Sequence, residues 1–131
     1  MREIIFRGKD RMSGEWVYGD LYQERHSDGT IKTTIVQPLS VYNVDPDTVG
    51  QYTGLTDKNG NKIFEGDIIK VVSLHYETLG KKINGEIVYD RGCFWVERID
   101  ARGLKQSLSA AELENNIEVI GNIHDNSELI K

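Results

Sequence analysis

Apolar and polar positions alternate along this chain in short runs of period two, and glycine-containing turns cut the runs, so a mainly β protein is expected. The clearest run is Ile68-Ile69-Lys70-Val71-Val72, aliphatic, β-branched and of strand length, which reads as a central strand. Thr30-Ile31-Lys32-Thr33-Thr34-Ile35-Val36 predicts a second strand, ending before Pro38, which has no N–H to donate. Residues 3–7 and 15–23 predict a hairpin across the irregular loop 8–14. Trp16, Tyr18 and Tyr22 share a face of its second strand and are expected mostly in the core, as are Tyr52, Tyr89, Phe94 and Trp95. Residues 85–90 and 93–97 predict another hairpin around Arg91-Gly92, preceded by a loop or strand extension over 72–84. Ser109 with Glu112 three positions on is a capping box, so a short helix is expected over 108–116, after which Ile117 to Ile123 returns to β structure.

Turn chemistry sets the joints. Asn59-Gly60 is the pair that best tolerates positive φ at both centres of a type I′ turn, so an exposed hairpin tip of that type is expected there. Glu65-Gly66-Asp67 is a second tight turn, in which Gly66 supplies a positive φ and the Asp67 carboxylate accepts local backbone N–H groups. Val44-Asp45-Pro46-Asp47 reads as a loop, and composition places a boundary near Gly50, between an N-terminal β region (1–50) and a C-terminal part (51–131). Tyr18-Gly19-Asp20-Leu21 and Glu65-Gly66-Asp67-Ile68 echo one another, through a duplicated hairpin or through convergence on one turn type.

The order Thr48-Val49-Gly50-Gln51-Tyr52-Thr53-Gly54-Leu55, Asp57-Lys58-Asn59-Gly60 and Ile63-Phe64-Glu65-Gly66-Asp67-Ile68-Ile69 resembles the signature of the YopX family of phage and prophage proteins. Arg2 to Gly8, Trp16 to Leu21, Val119 to Ile123 and Asn126 to Leu129 extend the likeness to both ends. The resemblance implies a mostly β protein with an SH3-like barrel in the C-terminal part, encoded by a mobile element; with the capping box, the fold expected has one or two short helices. The resemblance brings no biochemical activity with it.

With 16 Lys and Arg against 21 Asp and Glu the net charge is −5, which disfavours unaided binding to a nucleic-acid backbone. The acidity is even, with 6 basic against 8 acidic residues in positions 1–50 and 10 against 13 in 51–131, so neither part is a basic arm. A single cysteine, Cys93, excludes an intrachain disulfide. No run has the length of a signal peptide or membrane span, and a cytoplasmic location is expected.

No catalytic constellation emerges. Cys93 is expected to be a small hydrophobe on a strand. His26, His75 and His124 lack metal-site spacing. Turn duty explains most of Asp20, Asp57, Glu65 and Asp67 more simply than a carboxylate pair, and Gly50 to Gly54 has neither the lysine nor the helix of a phosphate loop. No enzyme activity, metal or cofactor is therefore expected. Arg98, Arg102 and Lys105 cluster in one loop, where a solvated surface is the plain reading and a contact to phosphate or a partner the functional one. The favoured function is a non-catalytic interaction or assembly module that binds a protein or a second copy of itself. The alternative is a nucleic-acid-binding accessory protein using Arg98, Arg102 and Lys105, with Arg7, Lys9 and Arg11.

Overall fold

A computed structural model describes residues 2–108 and 117–130. The described chain is mainly β, with two five-stranded sheets and, as helix, the short 3-10 turns Tyr76–Thr78 and Ser127–Ile130. Of the helix expected over 108–116, residues 109–116 lie outside the described residues. The chain divides into two compact units, Met1–Tyr52 and Thr53–Lys131.

In the first unit β1 (Phe6–Asp10), β2 (Trp16–Arg25), β3 (Ile31–Gln37) and β4 (Ser40–Thr56) pair antiparallel. β4 also pairs with β1, so the pairing is cyclic. The long strands achieve this by changing partner midway. β2 faces β1 through Gly19 and β3 from Asp20 onward, while β4 faces β3 through Asn43 and β1 from Val44 onward. Gly19 marks the handover in β2, where a Cβ would lie 2.4 Å from the Val36 carbonyl oxygen. Gly66, by contrast, sits in a turn at φ 91°. The two Gly-Asp pairs therefore have different backbones, and convergence in sequence accounts for the echo better than duplication.

Three expectations for this unit need correction. β1 starts later and runs through Gly8, whose missing Cβ lets Val44 approach to 3.1 Å of its position. The turn shrinks to 11–13, held by Asp10, which accepts from Gly14 N and Ser13 Oγ. The loop expected over Val44-Asp45-Pro46-Asp47 is instead part of β4. Lys9 faces Asp45 and Arg7 faces Gly50, so residues 46–49 bulge opposite Gly8 alone, which gives Pro46 a place without a ladder bond. Thr48 Oγ1 stitches the bulge by donating to Asp45 O (2.6 Å) and accepting from Lys9 N (2.8 Å). The aromatics are the third correction, since Tyr18 and Tyr22 are about half exposed while Ile35 and Val44 are fully buried.

In the second unit β5 (Lys62–Phe64) pairs with the end of β4, and β6 (Asp67–Val72), β7 (Lys82–Asp90), β8 (Cys93–Arg98) and β9 (Lys105–Ser107) form an antiparallel meander. β10 (Glu118–Asn122) returns antiparallel to β6. The core is aliphatic: Ile63, Ile69, Val71, Ile83, Ile87, Val96, Leu108 and Ile117, with Leu55, Phe94 and Val119 against it. Burying one such side chain contributes about 1.5–3 kcal/mol.

Asn59-Gly60 does lie at an exposed hairpin tip, but the turn is not type I′. Gly60 has φ 83° while Asn59 keeps a negative φ, because Asp57 directs the loop: its Oδ1 accepts from Asn59 N (2.9 Å) and Asn61 N (2.8 Å). The doubly left-handed turn falls at Arg91-Gly92, with φ 52° and 80°, joining Asp90 to Cys93. Gly66 has the expected positive φ, and Asp67 Oδ2 accepts from the buried Phe64 N at 2.8 Å.

Candidate functional site

The residues that sequence singled out for contact, Arg98, Arg102 and Lys105, come together around β8, and register explains their arrangement. Side chains alternate along β8, so Phe94 and Val96 turn to the core while Trp95 and Glu97 take the opposite face. Glu97 then stands directly across from Glu86 of β7. Two carboxylates in facing positions repel. Arg102 Nη1 bridges them at 2.9 Å to Glu86 and 2.8 Å to Glu97, and Lys105 Nζ adds looser pairs to Glu97 (3.7 Å) and Asp90 (3.6 Å). Burial pulls the Arg102 pKa down, but its bonds to the two glutamates outweigh this and hold it above the usual value.

Arg98 is no surface cation. Its side chain is 9% exposed, with Nε and Nη2 donating to the two oxygens of Asp100 at 2.9 and 2.8 Å and Nη1 to Thr78 Oγ1 at 2.8 Å. Thr78 Oγ1 in turn meets the buried Ser73 Oγ at 2.6 Å. The bidentate bond to Asp100 raises the Arg98 pKa and lowers that of Asp100. Each cation of the basic loop thus faces a carboxylate. The partners Glu86, Thr78 and Asp100 were not singled out in the sequence, and only the strand register would have found Glu86.

Trp95 is the organising aromatic. Its Nε1 donates to Asp90 O at 2.9 Å, fixing the ring beside the Arg91-Gly92 turn. Trp95 borders two clefts. One, of about 230 Å3, is bounded by Thr53, Leu55, Cys93, Phe94, Ser107 and Leu108; the other, of about 350 Å3, by Asp90, Arg91, Gly103, Leu104 and Lys105. Tyr89, expected in the core, is 55% exposed and stacks edge-on with Phe94 at 5.2 Å. Cys93 is exposed at the rim of the first cleft.

The structural turn residues form a separate group. Asp57, itself buried, also accepts at Oδ2 from Val119 N (3.0 Å) and Asn61 Nδ2 (3.3 Å), tying the β4–β5 hairpin to β10. Burial pushes its carboxyl up, and the bonds from Val119, Asn61 and Asn59 together outweigh burial and leave it below its usual value. His26, His75 and His124 belong to different turns. Among the described residues, no three of His, Cys, Asp and Glu converge on a point that could hold a metal ion, and no helix is long and apolar enough to cross a membrane.

Comparison with solved structures gives protein EF1440 from Enterococcus faecalis, 26% identical over the whole of both chains with a TM-score of 0.60. Protein yopX from Bacillus subtilis is 18% identical, covering 100% of this chain and 98% of that one, with a TM-score of 0.55, a likeness of fold. No curated protein matches. The family model described as YopX protein matches residues 5–131, nearly the full length, and the chain belongs to that family.

Proposed function

We propose that this chain is a non-catalytic protein-interaction module whose partner contacts the β8 face at Trp95. The observation that carries the reading is a half-buried tryptophan, Trp95, that borders two clefts and stands beside cations that already meet carboxylates. Large aromatic anchors in partly apolar pockets are the usual source of protein-binding energy. A nucleic-acid phosphate would have to compete with Glu86, Glu97 and Asp100 for Arg102 and Arg98, which weighs against the alternative.

The reading takes the second unit as an SH3-like barrel. In support, β6 to β9 form a four-strand meander, β10 returns to β6, and the Gln106 side chain bridges β9 to Val72 O at the end of β6 and to Leu74 N beyond it. It also takes the chain as a phage or prophage accessory protein acting in the bacterial cytoplasm, with a second copy as one form of partner.

The test is co-purification from host cells of wild type and Trp95→Ala, each with and without nuclease, with oligomeric state measured by sedimentation. A protein partner, or self-association, that survives nuclease and is weakened at least about 30-fold by Trp95→Ala supports the proposal. Material that leaves with nuclease, or a partner indifferent to Trp95→Ala, contradicts it.

A further inference from the structure

The geometry points to a second site in the same unit, independent of the Trp95 reading: a carboxylate-binding cleft built on Arg98. The cleft measures about 170 Å3 and is lined by Leu74, His75, Arg98, Leu104, Lys105 and Gln106. Its polar lining consists of donors. A guanidinium has five N–H groups and no acceptor. Those of Arg98 to Asp100 and Thr78 account for three, leaving one hydrogen on Nη1 and one on Nη2 for an outside acceptor.

Backbone contacts orient the other two donors. Gln106 Oε1 accepts from Leu74 N (3.0 Å) and Nε2 donates to Val72 O (3.1 Å), so the amide cannot flip and a second Nε2 hydrogen remains. His75 Nδ1 accepts from Glu77 N, which puts the proton of the neutral ring on Nε2. Lys105 adds its stem, with the ammonium near Asp90 and Glu97. Leu74 and Leu104 supply apolar wall.

A site of fixed donors calls for a ligand that only accepts. Because these side chains are already held by their existing partners, an anion that accepts from their remaining hydrogens loses little to ordering on binding. The cleft is small, suited to a carboxylate with a short aliphatic stem and well below an ordinary nucleotide-sized pocket. Asp100 already offsets the Arg98 charge, so little net positive charge remains for a dianion, and a monoanion held by directional bonds fits better than phosphate. A glutamate or aspartate side chain of a partner and a free small carboxylate share this chemistry.

The test is titration of the full chain, followed through the backbone amides of Leu74 and Gln106 by NMR. The probes are acetate, inorganic phosphate, a terminally blocked glutamate peptide and its glutamine counterpart, on wild type, Gln106→Glu and His75→Phe. The expected result is saturation by acetate in the millimolar range, weakened at least tenfold in Gln106→Glu. His75→Phe, which removes one donor without adding charge, serves as the second variant, and a several-fold loss there is expected. A glutamate peptide that binds tenfold tighter than acetate, with the glutamine peptide silent, assigns the site to a protein partner. Equal affinity for peptide and acetate assigns it to a free carboxylate. Phosphate saturating where carboxylates do not, no saturation by acetate or the glutamate peptide, or equal binding by wild type and both folded variants would overturn the site.

Discussion

Asp57→Asn should weaken the second unit far more than its position in an exposed hairpin suggests. In the wild type, Oδ1 serves Asn59 N and Asn61 N while Oδ2 serves Val119 N and Asn61 Nδ2. Asparagine has one oxygen for these two sets of donors. If its amide keeps the oxygen toward the turn, the NH2 confronts Val119 N; if it flips, the NH2 confronts two turn N–H groups. Losing a charge-assisted bond to a partly buried backbone donor, and setting donor against donor, costs about 2–4 kcal/mol. With a urea slope of about 1.5 kcal/mol/M, the midpoint should fall by about 1.3–2.7 M.

The assay is urea unfolding in a Trp16→Phe background, so that Trp95 reports on the second unit. The sign with pH is also fixed. The Asp57 carboxyl lies below its usual value in the folded state, so its contribution is fully present above the unfolded pKa of about 3.9 and is lost as pH falls through the folded value. The gap between wild type and Asp57→Asn should therefore narrow below about pH 3.9 and stay constant above about pH 5. A midpoint shift under about 0.5 M at pH 7, or a gap that does not change on acidification, would refute the hub role of Asp57.

Further outcomes are expected. Gly66→Val, at φ 91°, should cost about 1–3 kcal/mol while the exposed Lys62→Ala is nearly neutral, which equal unfolding midpoints would contradict. Arg91→Asn should stabilise by up to about 1 kcal/mol, because Arg91 holds φ 52° and asparagine tolerates that region better; thermal unfolding measures it. Gly19→Ala should be among the most damaging small changes in the first unit, since its Cβ would meet a carbonyl oxygen at 2.4 Å, and calorimetry should show a lower Tm.

Local chemistry made some elements legible and left others out of reach. The aliphatic run from Ile68 to Val72 and the positive φ of Gly66 follow from the residues themselves. The type of the Asn59-Gly60 turn does not, because Asp57 accepts from backbone donors on both sides of that pair and selects a different backbone. Pro46 suggested a chain break, yet the bulge opposite Gly8 is visible only when β1 and β4 are paired. The cations were found as a cluster, but their commitment to Glu86, Glu97 and Asp100 depends on cross-strand register and on a turn that folds Asp100 back onto Arg98. Trp95 stood out by type, while Leu55 and Ser107 beside it join the same cleft only through the fold.

The claim that the cations around β8 serve the sheet and leave Trp95 to a protein partner is tested most directly by salt-dependent titration with single- and double-stranded nucleic acid. Arg98 is too buried to remove without damaging the second unit, so the comparison is wild type against Arg102→Ala with Lys105→Ala. Wild type is expected to show no affinity tighter than roughly 10⁻⁴ M at physiological salt, and the double variant the same. Micromolar binding by wild type, with a salt slope that falls by about two charges in the double variant, would contradict it and make this face a phosphate surface.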